Sequence, residues 1–293
     1  MDTSTFLIQC LNALQHGLLL FLVASGLTLI FGIMGIINLA HGSFYMIGAY
    51  MAFALNPLVE RWLGGGFVTT LVLCIVLATV LGYVLEAAFF SYLYRRDHLQ
   101  QVLMTYGLIL VFEEIRSLLV GNDVHGVSVP PWLAGSVPLD DILTYPVYRL
   151  FISAIGIGVA ILLYWVLTRT RLGMMVRAGA SNREMIGSLG IDINRLYRIV
   201  FAAGVALAAL AGTIAAPVSS VYPGMGNSVL IMCFVVVVIG GIGSIRGAFL
   251  AAMLVGTVET FGQVLFPSAA GILVYVLMAV ILLCKPEGLF KQG

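Results

Sequence analysis

The sequence predicts an all-α fold, a polytopic transmembrane helix bundle of eight or nine spans with a short cytoplasmic helix between two of them. Three observations lead there. The chain of 293 residues is 61% hydrophobic and only 9% charged, where soluble proteins carry roughly 25% charged residues. Its apolar tracts approach the length of a bilayer crossing. Its polar connections differ in charge from one side to the other.

A hydrocarbon core about 30 Å thick takes roughly 20 apolar residues per helix. Tracts 6–31, 36–56, 67–93, 99–120, 147–168, 194–216, 227–241, 247–266 and 269–284 approach or meet that length. Tract 36–56 opens on polar residues and 227–241 is short, so each of these two is read as either spanning or re-entrant. The longest polar stretches, 121–146 and 169–193, are too small to build a core of their own, and residues 1–293 are therefore read as a single membrane domain. The opening MDTSTFLIQC has an acidic residue and no basic cluster before its apolar run. It lacks the positive region of a cleaved signal, so 6–31 is expected to be a retained first helix.

Short loops on the cytoplasmic side are enriched in Lys and Arg. Segment 169–198 holds Arg169, Arg171, Arg177, Arg183, Arg195 and Arg198 and is placed inside, as is LYRRDH at 93–98. The 121–146 loop holds Asp123, Asp140 and Asp141 with no basic residue and is placed outside. This puts the N-terminus outside and the C-terminus in the cytoplasm, with nine crossings the number consistent in parity.

Several function classes are disfavoured. A P-loop needs a lysine on the phosphates, and the only lysines are Lys285 and Lys291, in no such loop. Cys10, Cys74, Cys233 and Cys284 fall in separate tracts without paired spacing, which argues against a metal site or a disulfide framework. No hydrolytic motif stands out, so no catalytic residue, cofactor or nucleic-acid partner is assigned.

Ionisable residues within spans usually mark ion or proton pathways. Glu86 and the Glu113, Glu114, Arg116 cluster are read as packing or pairing groups, Glu113 and Arg116 having the i, i+3 spacing of a pair. Glu259 sits mid-span with Gln263 one turn on and no basic residue nearby in sequence; it is either a hydrogen-bonded packing carboxyl or a relay.

Two stretches carry the functional signal. In GIMGIINLAHGSFYMIGAY, 32–50, Gly32, Gly35 and Gly42 make 32–42 the expected break in a helix. Non-helical backbone at membrane depth is tolerated only when protein or a water-filled cavity covers it. Asn38 and His41 either satisfy that break or also line a passage together with Gly42 and Ser43. GIINLAHGSF and GGIGSIRGAF, 35–44 and 240–249, echo each other faintly, as interrupted segments do in transporters built from repeats. Small residues in GVALAALAG, 204–212, allow close helix contact.

The second stretch is the inside loop. Ser181 and Glu184 have capping-box spacing, Ala180 and Met185 sit at staple positions, and Gly190 stands where a left-handed cap would end a helix. A helix over 182–189 is expected, with Asp192 or Asn194 capping the next span. Isolated helices this short are marginal in water. It is therefore either a connector or a docking helix presenting Arg183, Ile186 and Leu189.

Taken together, 26–53, 181–217 and 240–256 resemble the LivH-like permease subunit of bacterial branched-chain amino acid ABC transporters. The resemblance implies a second, related permease, two cytoplasmic ATPase subunits that bind the ATP, and a periplasmic substrate-binding protein. It implies an inner-membrane location and an ATPase-docking role for the short helix. Relatives carry urea or short amides, and more distant ones pentoses; the sugar carriers have an acidic residue where this chain has Asn38. A self-contained ion-coupled carrier using Glu259, or a channel, are the readings from other classes.

Overall fold

A computed structural model describes residues 3–63, 66–94, 96–138, 144–188 and 190–290. In chain order the helices are α1 (Thr3–Met34), α2 (His41–Leu63), α3 (Phe67–Leu93), α4 (His98–Val120), α5 (Val147–Arg169), α6 (Arg171–Ser181), α7 (Arg183–Ser188), α8 (Ile193–Ser219), α9 (Met225–Gly240), α10 (Ile245–Leu265) and α11 (Ala270–Cys284). Six of these, α1, α2, α3, α5, α8 and α10, are long and apolar enough to cross a membrane. The fold is that of an all-α polytopic membrane protein. The α4–α5 connection adds a small antiparallel hairpin of β1 (Ser136–Pro138) and β2 (Thr144–Pro146).

Two helices form the axis. The most apolar windows of α1 and α8 are 83% and 78% buried, against 17% for α5. α1 packs on α5, α8 and α10, while α2 and α3 pack on α8. Small residues permit this, as expected for 204–212: a Cβ on Gly212 would stand 2.0 Å from the Tyr45 carbonyl oxygen, and one on Gly204 would meet Ile30 at 2.7 Å. In lipid, where apolar side chains gain little by leaving the solvent, such close backbone approach is what favours helix association.

Element ends sort onto two faces. On one, the Asn12 side chain of α1 accepts from Arg149 of α5, and His125 pairs with Val221 just past α8. On the other, Arg198 near the start of α8 pairs with Glu86 of α3, and the backbone at Leu289 and Phe290 bonds to the end of α9 at Ile239 and Gly240.

Three features depart from the sequence reading. Residues 171–181, expected as loop, are helical because Thr170 caps them, its Oγ1 accepting from the Gly173 N–H at 3.2 Å. Ser181 ends that helix instead of capping the next one: the cap of α7 is Asn182, whose Oδ1 accepts from the Met185 N–H at 3.0 Å. The short helix therefore spans six residues, Arg183–Ser188. Leu189 lies outside the described residues, and so do the details of the Arg183, Glu184 and Ile186 side chains. Gly190 takes φ +81°, as a left-handed cap requires, and Asp192 is the cap of α8, accepting from the Arg195 N–H at 3.1 Å.

The third feature is a π-helical turn, Glu86–Phe90, inside α3. π-turns are rare and frequently mark functional sites. Here the turn carries Glu86, whose wholly buried carboxylate accepts from Tyr94 and, at 3.1 Å, from Arg198. The expected Glu113–Arg116 pair is present at 3.1 Å, and Arg116 also donates to the Gly121 carbonyl past the end of α4 at 2.6 Å.

Candidate functional site: a polar cavity above a sealed junction

The break expected at 32–42 is real. α1 stops at Met34, Gly35 takes φ +65°, and helix resumes at His41. Asn38 shapes the gap, its Oδ1 accepting from the Ala40 N–H at 3.1 Å. His41 Nε2 bonds to the Val23 carbonyl at 3.0 Å, and its ring stands edge-on to Phe44. Both side chains are fully buried.

A second break faces it. Past α8, Ser220 and Gly224 adopt positive φ, +56° and +79°, and α9 begins at Met225. Sixteen residues of helix span only about 24 Å, so α9 cannot run the full membrane depth from a start at the surface. Its start lies against the start of α2. A Cβ on Gly42 would lie 2.1 Å from the Gly226 carbonyl oxygen, and one on Gly226 would lie 2.7 Å from that of Gly42. Two helix N-termini thus touch backbone to backbone, with Ser43 buried beside them. This junction is closely packed and leaves polar atoms without a protein partner: among the described residues, Asn38 Nδ2 and His41 Nδ1 are buried with no hydrogen bond to the protein.

Directly above lies a cavity of about 450 Å³. Its deep end is formed by Tyr45 and Val229, each three residues past a junction glycine, and by Val23, whose carbonyl bonds to His41. Its walls come from α1, α5, α8 and α10, and a largely apolar lining carries a set of polar side chains, Asn12, Gln15, His16, Arg149, Ser219 and Glu259 among them. Glu259 is not partnerless, as its sequence neighbours suggested. His16 of α1 meets it across the cavity wall, Nε2 to Oε2 at 2.9 Å. Arg149 donates to Asn12 Oδ1 at 2.6 Å, and Tyr145 donates to the same oxygen at 3.3 Å.

Of the residues singled out from sequence, Glu259 lines the cavity, whereas Asn38, His41, Gly42 and Ser43 form or flank the seal beneath it. The set 181–190 lies apart, on the face where Arg198 meets Glu86. Sequence reasoning missed Arg149, His16 and Asn12. Arg149 had a signal: it is a lone arginine three residues into an apolar tract, next to the loop with no basic residue. His16 had none, because its partner is 243 residues away.

A line of aromatic contacts joins that far face to the junction. Phe90 of the π-turn lies 4.3 Å from Phe201 of α8 between ring centroids, and Phe201 lies 6.0 Å from Phe44 of α2. Phe44 is two residues from Gly42.

The chain matches the family described as branched-chain amino acid transport system / permease component over residues 9–284. The high-affinity branched-chain amino acid transport system permease protein BraD of Pseudomonas aeruginosa is 30% identical, with 98% of this chain and 96% of BraD aligned. The corresponding protein LivH of Escherichia coli K12 is 28% identical over the same shares of the two chains, 98% and 96%. LivM of the same strain is 26% identical, over 91% of this chain and 66% of LivM. No solved structure matches at a significant level.

Proposed function

Because the chain belongs to the branched-chain amino acid transport permease family, we propose that it is one permease subunit of an ABC importer that carries branched-chain amino acids across the bacterial inner membrane. The observation that carries this reading is similarity to permeases of that name along nearly the whole chain, 98% of it and 96% of BraD. LivM is a related permease of the same kind, and a second, LivM-like permease is the expected neighbour. Two ATPase subunits bind the ATP, and a binding protein delivers substrate to the outer face.

In this reading the chain crosses nine times, with α4, α9 and α11 added to the six longer helices, the N-terminus outside and the C-terminus in the cytoplasm. The sorting of helix ends onto two faces supports this count. The cavity is then the outer part of the substrate path, with Glu259 on its wall. Asn38, His41, Gly42 and Ser43 belong to the gate below. An alternating-access path must be closed on one side at a time, and a junction that buries two polar atoms without a protein partner, Asn38 Nδ2 and His41 Nδ1, is a seal held at a cost. Each such atom costs about 1–3 kcal/mol, which is relieved when the gate opens to water or substrate.

The force comes from the loop 169–193. α7, with Arg183, Glu184 and Ile186, docks the ATPase together with Leu189, the next residue in sequence, while Ser181 and Gly190 bound the lever. Its motion passes through the Asp192 cap to α8, and from Phe201 to Phe44 beside the gate. Reconstitution with the partner subunits tests the whole: ATP-dependent uptake of leucine, isoleucine or valine into vesicles is expected. Uptake by this chain without ATPases, or from a proton gradient alone, overturns the reading. Replacing Arg183 and Glu184 together is expected to uncouple hydrolysis from uptake in a protein that still inserts; normal uptake by that variant removes α7 from the coupling role.

A further inference from the structure

The cavity pairs two charges that do not neutralise each other. Arg149 has neutral partners, Asn12 Oδ1 at 2.6 Å and the Tyr145 hydroxyl, and among the described residues no carboxylate lies within salt-bridge distance of it. Glu259 bonds to an imidazole, His16 at 2.9 Å, and both groups keep part of their surface open, 38% for the His16 side chain and 19% for that of Glu259. Arg149 and Glu259 line the same cavity.

Both charges are anchored on α1. Asn12 and His16 are four residues apart, on one face of the helix and one turn from each other; Arg149 is held at the first and Glu259 at the second. A fixed cation and a fixed anion lining one cavity suit a molecule that carries the opposite charges on one carbon. A guanidinium holds a carboxylate in two parallel bonds, and its contacts to Asn12 and Tyr145 leave donors for this. An ammonium offers three N–H groups for Glu259 and other oxygens of the cavity wall. Beyond the charged pair, Leu19, Leu20, Val23 and Val229 give the cavity an apolar wall.

Resting on the permease reading above, we propose that this cavity is a binding site for the free α-amino acid zwitterion: Arg149 takes the α-carboxylate, Glu259 the α-ammonium, and the Leu19, Leu20, Val23 and Val229 wall the branched side chain. The site binds weakly, as a path that must also release requires, and it is built from this subunit alone. Its recognition is therefore separate from that of the binding protein.

The test uses the intact, detergent-solubilised transporter complex without its binding protein, and saturation-transfer NMR with leucine, isocaproate and isoamylamine as probes. Leucine gives a signal, while isocaproate, lacking the ammonium, and isoamylamine, lacking the carboxylate, give at most a tenth of it. Arg149→Gln and Glu259→Gln each weaken leucine binding at least about tenfold, the loss of one charge-assisted contact. Arg149→Lys and Glu259→Asp keep the charge and give intermediate binding, which also covers a neutral variant that fails to fold. Equal signals from the three probes, no leucine signal in the wild type, or leucine binding unchanged in both neutral variants overturns the site. ATP-dependent leucine uptake by the wild-type complex, reconstituted in vesicles with its binding protein, is measured in parallel. Its presence with no saturation transfer rejects the clamp alone; its absence rejects the permease reading.

Discussion

The two polar regions of this molecule are neighbours, yet they obey different rules. At the junction, Asn38 and His41 are fully buried, bonded to backbone and closed off by two glycine backbones in contact. In the cavity above, Arg149, His16 and Glu259 are held side chain to side chain and keep open surface. The first arrangement turns polar side chains into structural parts, and the second leaves them available to a ligand. A polar residue inside a membrane protein thus has no single meaning; what its hydrogen bonds are made to, and whether room remains, decides it.

The sharpest way to break this contrast is to fill the junction. Gly42→Leu places carbon where the Gly226 carbonyl oxygen sits, and nothing on either backbone can yield cheaply. Overpacking of about 1–3 kcal/mol or more is expected to cut folded protein in the membrane at least tenfold, read as monodisperse yield on size exclusion. Wild-type yield would show that the two helix starts are not in contact.

The two histidines give the next test, the same substitution in each region. His41→Ala removes the bond to the Val23 carbonyl in a fully buried site, at about 1–3 kcal/mol. Thermal stability and uptake are expected to fall together. His16→Ala frees Glu259 at the cavity wall; abundance and melting are expected to hold while uptake drops about threefold, the scale of one net hydrogen bond. If His41→Ala loses uptake alone, the junction is itself a contact surface for substrate and the distinction fails.

The smallest effect is expected at the lever. Asn182→Ala removes the cap of α7 at a cost of about 1 kcal/mol, confined to six residues. Membrane abundance should match wild type, with the ratio of solute moved to ATP hydrolysed reduced. An unchanged ratio would mean that α7 is ordered by its docking partner and not by its cap.

Much of this architecture was legible because membrane helices are local objects. Backbone bonds close within each segment, so composition and length place the six long apolar helices, Gly35 and Gly42 announce a break, and Gly190 and Asp192 mark the ends flanking α7. Capping was less secure: Ser181 and Asn182 are both good caps, and the preceding helix, held by Thr170, decided between them. Glu86 shows the same limit. Its charge was visible beside the 95–96 arginines, but its partner is Arg198, 112 residues away.

By itself the sequence determined an all-α membrane chain, the interrupted helix near Asn38 and His41, and a short helix between α5 and α8, since each depends on neighbours within a few turns. Tertiary structure alone decided that Gly42 meets Gly226, that His16 answers Glu259, and that Arg149 looks into the same space. Those contacts join residues far apart in the chain, and their distances are set by how α1 and α8 pack, a quantity that no local pattern encodes.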